Sequence, residues 1–401
     1  MIFPTKTKLK KGKSVKAVAQ FSSNIPSKGA IATADCHNVQ LTNGLACGGA
    51  FVQNDGGVLQ YMPGIDGQPS KLTLTGLTVG GKTFNQLANS TKVRWAFEGS
   101  KNALVVCNDN TTYCIEKNFS SKIFAESFDS LAFCQSRLFA LKGNRVYLSL
   151  PTCCDFQENL WVDLPTKCVA LVNNGHLYAI GNDVYKIQPD GEESHIEVSK
   201  ICSNVGSVSG DTIYAYGNKI IFVADGKIVY LQHGSIKEVA KVDVAPTFAT
   251  MHRGLYYLFG KRLGENVAIA YNPHSGKMLQ MYHVNAQNAY SDGYQLYVSD
   301  GTNGYLLTDE SKPSYWKSLP INFDESYTTK FLHRLVIQTS TDVQVHVVSD
   351  AIRIYQLKGK DSAQSLLIAG HGKNITIEVH CNGEMDVPVL SITARTSEVS
   401  V

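Results

Sequence analysis

The chain has 401 residues, 43% of them hydrophobic and 18% charged, with a formal net charge of +3. That composition excludes wholesale disorder, and no apolar run reaches the roughly 18–20 residues that a membrane-spanning helix requires. Residues 1–17 hold six lysines and no acid, so the rest of the chain carries −3 and is not basic enough for bulk nucleic-acid binding.

The opening segment, MIFPTKTKLKKGKSVKA, lacks the apolar core of a secretory signal, which predicts no Sec export. Lys6, Lys8, Lys10, Lys11, Lys13 and Lys16 make residues 1–30 a basic N-terminal arm. Such an arm is suited to touching DNA phosphate or an acidic partner, and a solvated tail is the plainer reading. From about residue 31 the apolar stretches become short and β-rich. ACGGAFVQNDGGVLQYMPG (46–64) has the form of a hairpin, with NDGG supplying positive-φ turn positions. KLTLTGLTV (71–79) alternates with period two, as a half-buried strand does. FNQLANS (84–90) is the one stretch with helical character, and it is short.

A pattern then repeats: an apolar-aromatic strand, a Gly/Asn/Asp turn, and a second apolar strand. It reads NALVVCNDNTTYCI, RLFALKGNRVYLS, HLYAIGNDVYKI, TIYAYGNKIIFV, GLYYLFGKRLGENVAIAY and QLYVSDGTNGYLL. Its first apolar positions are Leu104, Leu138, Leu177, Ile213, Leu255 and Leu296, separated by 34, 39, 36, 42 and 41 residues. A hairpin repeat near 40 residues predicts a β-propeller with one four-stranded blade per repeat. Adding Phe51 as an anchor gives six or seven blades over residues 31–320, with an irregular step of 53 residues from Phe51 to Leu104. Beyond residue 321 the strands lengthen, as in TKFLHRLVIQTS, TDVQVHVVSD and KNITIEVHCNG. The expected fold is therefore all-β: a β-propeller of six or seven blades followed by a small antiparallel β-sandwich over residues 321–401.

Few motifs carry chemistry. The ten cysteines include no CxxC pair or Cys/His spacing suited to zinc; Cys36-His37 with Cys47 is the nearest approach. Cys107 and Cys114 could face each other across a hairpin, although a reduced state is the default without a secretory signal. No phosphate-binding loop, GxSxG or HExxH is present. Asp129, Asp155, Asp163, Asp190, Asp211, Asp225, Asp300 and Asp309 fall mostly in turns, where aspartate serves local hydrogen bonding. No catalytic, cofactor or metal residue is expected, and no cofactor. Trp161 and Trp316 are candidates for stacking on glycans, against the plainer reading that each packs locally.

One segment carries a resemblance. RLFALKGNRVYLSLPTCCDFQENLWVDLP (137–165) resembles a segment of the tail nozzle, or tail hub, proteins of short-tailed bacteriophages. The matching residues are Arg137, Leu138, Phe139, Gly143, Asn144, Arg145, Val146, Tyr147, Ser149, Pro151, Asp155, Phe156, Asn159 and Asp163. The resemblance implies a structural virion protein of the tail, assembled in the host cytoplasm, that forms a homo-oligomeric ring below the portal and adaptor. Such a ring lines and closes the DNA exit channel, contacts other tail proteins and packaged DNA, and does not insert into membranes. On this reading the chain is not an enzyme. A propeller module that binds glycans or receptors is the alternative, and a propeller enzyme acting on glycosides is a weaker one.

Overall fold

The computed structural model describes residues 14–21, 30–41, 44–65, 67–100, 102–116, 119–150, 156–189, 196–309, 313–321, 323, 329–383 and 385–396. Among these the chain is all-β, with two single-turn 3-10 segments, Asn85–Leu87 and Gly210–Thr212, and no α-helix. The chain divides into two compact units.

The larger unit, residues 51–276 and 283–307, is a seven-bladed β-propeller. Five blades are four-stranded antiparallel meanders over residues 60–84, 94–124, 130–163, 168–202 and 214–241. The sixth contributes Ala245–His252, Leu255–Arg262 and Glu265–Tyr271 to this unit. The seventh joins Asn288–Ser291, Leu296–Ser299 and Asn303–Thr308 to Ala50–Gly56, a strand from far earlier in the chain. The ring thus closes by borrowing an N-terminal strand.

Except in the first blade, where Ser70–Thr73 alternates, the second strands of the blades are buried largely on both faces, as in Ala103–Cys107, because each is pressed between neighbouring blades. They therefore read as continuous apolar runs and not as alternating strands. The core lies in layers between blades. Leu72, Leu77 and Leu87 of the first blade pack with Leu104, Val106 and Ile115 of the second. Phe139, Leu141 and Leu148 of the third pack with Leu177, Ala179 and Tyr185 of the fourth.

Two sequence anchors are corrected. Leu104, Leu138, Leu177, Leu255 and Leu296 all lie on second strands, but Ile213 precedes the first strand of its blade, Tyr214–Tyr216. The equivalent position there is Ile220, in Lys219–Ala224. Phe51 belongs to the closing strand, and the first blade occupies the irregular step after it. Cys107 and Cys114 are not joined in a disulfide. The hairpin register sets Thr112 opposite Cys107 and Val105 opposite Cys114, so the two sulfurs are not cross-strand partners.

The closing seam is held by a polar lock. Asp55, on the closing strand, accepts hydrogen bonds from the Tyr61 hydroxyl at 2.8 Å and the Lys71 ammonium at 2.8 Å, both in the first blade. Burial works to raise the Asp55 pKa, but the Lys71 and Tyr61 bonds outweigh it and hold the carboxyl below the usual 3.8. A folded-state pKa below the unfolded one stabilises fully above the unfolded value and is lost as pH falls through the folded value. Asp55→Asn is expected to cost about 1–3 kcal/mol at neutral pH, since it weakens the acceptor of a buried hydroxyl. Denaturant unfolding checks this: the gap between variant and wild type should narrow below about pH 3.8, and a gap that widens there would refute the lock.

The other unit gathers residues 1–50, 277–282 and 308–401. The expected boundaries at 30/31 and 320/321 are therefore corrected. The long C-terminal strands are present, but Ser14–Gln20 and Ala30–His37 lie in the middle of their sheet. Ser14–Gln20 pairs antiparallel with Val389–Thr396 and parallel with Ala30–Ala32. Thr33–His37 then pairs with Ser314–Ser318. Nine strands thus lie on one hydrogen-bonded path, which runs from Ile352–Leu357 at one end to Lys360–Leu367 at the other, and a tenth, His371–Gly372, pairs off the path with Lys330–Thr339. N-terminal strands are drawn in because Val15 and Ala17 alternate inward beside Ile392 and Ala394, completing one apolar layer.

Candidate functional site: the mouth of the propeller channel

First strands of successive blades neighbour one another and surround the axis. Side chains stitch this inner ring. The Gln60 amide donates to Val93 O at 2.9 Å and accepts from Val93 N at 2.9 Å, joining the first and second blades. Ser130 Oγ accepts from Leu171 N at 3.0 Å, and Asn288 Oδ1 accepts from Tyr61 N at 2.9 Å. A side-chain amide that satisfies one backbone donor and one acceptor compensates for the antiparallel pairing that blades do not make with each other.

At one end of the axis a cavity of about 180 Å³ is lined by residues from all seven blades, with Lys92, Arg94, Asp129 and Asp211 supplying its charge. Asp211 sits on the turn Gly210–Thr212, which is held rigidly: Thr212 Oγ1 donates to Ser209 O at 2.6 Å and accepts from Val223 N at 3.0 Å. Tyr256 Oη donates to Thr212 O at 2.7 Å. Asp211 pairs with Arg94 and, at 3.1 Å, with Lys92. These cations lead into or belong to the second blade, while Asp211 leads into the fifth, so the pairs strap the mouth across non-adjacent blades. The volume is below the roughly 300 Å³ at which small-molecule pockets begin. The remaining acid of the mouth, Asp129, accepts from Gly143 N at 2.8 Å.

Three of the other aspartates are likewise engaged locally. Asp163 is held by Arg145 at 2.8 Å, Asp225 accepts from Ser207 N at 2.8 Å, and Asp300 accepts from Thr302 N, Asn303 N and Tyr305 Oη. Asp155 and Asp190 lie outside the described residues.

The segment 137–165 forms the second, third and fourth strands of the third blade, and its motif residues build that blade. Gly143 takes φ 65° in the hairpin turn, where a side chain would be strained. Asn144 Nδ2 donates to Leu164 O at 3.2 Å, Arg145 pairs with Asp163, and Leu138 N donates to Ser149 Oγ at 2.8 Å. Pro151 and Asp155 lie outside the described residues.

The two tryptophan candidates part ways. Trp316 is fully buried and its indole N–H donates to Thr33 Oγ1 at 2.9 Å, which removes it as a glycan platform. Trp161 is 39% exposed, with the Arg145 guanidinium 3.6 Å over one ring face. Of the lysines, Lys16 is exposed on the strand Ser14–Gln20, which corrects its placement in a loose arm. Lys6, Lys8, Lys10, Lys11 and Lys13 lie outside the described residues.

The ten-stranded sheet brings together a cluster that sequence reading missed: His346, Glu378 and His380. Glu378 and His380 are two apart on Thr376–Cys381 and so share a face; the register sets His346 directly opposite Glu378. The only signal was the Glu-x-His of that strand, and the third member lies more than thirty residues away. Burial and the neighbouring His346 lower the His380 pKa despite the Glu378 carboxylate. Burial works to raise the Glu378 pKa, but Lys317 and His380 outweigh it and the net shift is downward.

No protein-family model matches the chain, and no curated protein matches it in sequence. Among solved structures it is similar to the Pan2 WD40 domain of Neurospora crassa, at 11% identity and TM-score 0.44, covering 63% of this chain and 88% of that one. The RRP9 WD40 repeats are similar at 9% identity and TM-score 0.46, covering 69% of this chain and 99% of that one. The extracellular domain of BT4673 from B. thetaiotaomicron is similar at 12% identity and TM-score 0.45, covering 79% of this chain and 47% of that one. The propeller is read from the sheet order itself. The class that the fold defines is that of β-propeller proteins.

Proposed function

We propose that the chain is a non-catalytic structural subunit of a short-tailed bacteriophage tail, a nozzle or hub component that assembles into a ring below the portal and adaptor. One observation motivates the ring: the ten-stranded sheet leaves two edge strands open, Ile352–Leu357 and Lys360–Leu367, which are joined by only Lys358-Gly359, so the sheet curls round and its two edges lie close together there. Among the described residues, Ile352–Leu357 bonds only to Val343–Val348, and Lys360–Leu367 only to Lys330–Thr339. Both ends expose apolar side chains, Ile352 at 64%, Ile354 at 55% and Leu367 at 75%. Uncovered edges invite strand pairing with a neighbouring subunit, and a contact between unlike surfaces closes a ring when the rotation allows. The phage assignment rests on the resemblance of residues 137–165. With the propeller mouth strapped by Asp211, DNA would pass through the ring of subunits and not along a propeller axis, and the N-terminal lysines would meet DNA or an acidic neighbour.

Native mass measurement tests the assembly. A closed ring is expected for the wild type, and Ile352→Lys with Ile354→Lys should return it to monomer. A wild-type monomer that also fails to restore infectivity to particles lacking this protein would overturn the proposal. The exposed face of Trp161 favours the alternative, a glycan- or receptor-binding module. Glycan-array binding lost on Trp161→Ala by a monomeric chain would move the assignment there.

A further inference from the structure

We propose that His346, Glu378 and His380 form a binding site for a divalent transition-metal ion, with zinc the ion of best fit. The argument starts from geometry. One ligand atom from each of the three residues lies within 4.8 Å of the others. Glu378 Oε2 is 3.6 Å from His346 Nδ1 and 3.5 Å from His380 Nε2. Zinc bonds of 2.0–2.2 Å in a tetrahedron require ligand atoms about 3.3–3.5 Å apart, so closing the site takes shifts of a few tenths of an ångström on those two edges.

A second observation points independently to a missing partner. His380 Nε2, one of the prospective ligand atoms, is buried and makes no hydrogen bond, with Glu378 Oε2 beside it at 3.5 Å. A buried ring nitrogen is ordinarily satisfied by protein or water, and leaving one unsatisfied costs about 1–3 kcal/mol. The His346 and His380 rings lie 4.4 Å apart, so the two imidazoles share one small space beside the carboxylate.

The donor set decides the ion. Two imidazoles and one carboxylate suit zinc and its first-row neighbours, whereas calcium and magnesium require oxygen shells. Three protein ligands leave the fourth position open to water, and an adjoining cavity of about 590 Å³, bounded by Gln344, Gln356 and His380, supplies a path for the ion. A competing cation lies beside the site. Lys317 Nζ lies 3.0 Å from Glu378 Oε1 on a side chain 40% exposed, so it can neutralise Glu378 when the site is empty and swing to solvent when a metal binds.

The test uses the untagged full chain, stripped with a chelator and titrated with Zn²⁺, with Co²⁺ as a spectroscopic stand-in. One equivalent should bind, the cobalt form should show the visible bands of a four-coordinate ion, and saturating zinc should raise the melting temperature. His346→Ala and His380→Ala should each weaken binding on the order of 100-fold or more, given that even outer-shell partners cost 10–100-fold. Lys317→Gln should tighten it, because the competing cation is gone; a purely structural role for Lys317 predicts no gain. Absence of stoichiometric binding by the folded wild type would overturn the site. So would binding that survives both histidine substitutions, which would place the ion elsewhere.

Discussion

Replacing Trp316 with alanine should lower the stability of the ten-stranded sheet by about 3–5 kcal/mol, among the largest effects of any single substitution in this chain. The indole is fully buried in the central strand Ser314–Ser318. It meets the Phe21 ring edge-on with centroids 5.3 Å apart. Its N–H begins a short relay: the indole donates to Thr33 Oγ1, and Thr33 Oγ1 donates to Phe21 O at 2.6 Å. Alanine therefore opens a cavity and leaves the Thr33 hydroxyl one partner short. Trp316→Phe should cost less, since it refills most of the volume and loses only the donor. Hydrogen exchange at residues 314–318 and 376–381 reads both variants. A loss below about 1 kcal/mol for Trp316→Ala would mean that the sheet can collapse onto the vacancy.

The second large effect is expected at Gly304, on the seventh blade. A Cβ there would lie 1.8 Å from Tyr61 Oη and 2.7 Å from its Cζ. Tyr61 cannot easily give way, because its ring is fully buried beside Tyr297 and its hydroxyl is fixed on Asp55. Gly304→Ala should therefore cost about 1–3 kcal/mol in overpacking, and a further 1–3 kcal/mol if the ring is driven off Asp55. A double-mutant cycle with Tyr61→Ala isolates the clash, because removing the ring should make Gly304→Ala nearly neutral. Additive losses would place the cost in the backbone and not at the seam.

Both predictions sit where distant parts of the chain meet, and neither was legible in the sequence. The blades were legible. Residues 137–149 carry an apolar strand, a Gly-Asn turn and a second apolar strand within thirteen positions, and local turn chemistry suffices to form that hairpin. The same held for the long strands near Val343–Val348 and Thr376–Cys381, whose alternation survives in their burial. The register failed at Ile213 because the short first strand of the fifth blade looks, in isolation, like the second strands elsewhere. The candidate sites were less legible. Trp161 and Trp316 are alike as letters, and only packing buries one and leaves the other 39% exposed. His346, Glu378 and His380 are brought together by a strand register that no spacing rule anticipates.

The sequence by itself determined an all-β chain of hairpin repeats, because turns and strand periodicity are encoded within a dozen residues. Tertiary structure decided the rest. It set the count at seven by pairing Ala50–Gly56 with the last blade, some 250 residues away, and it carried Ser14–Gln20 into the C-terminal sheet. It also drew Lys92 and Arg94 across to Asp211. Closing a ring and completing an apolar layer reward contacts between segments far apart in sequence, and a strand's own residues do not specify which distant edge it will satisfy.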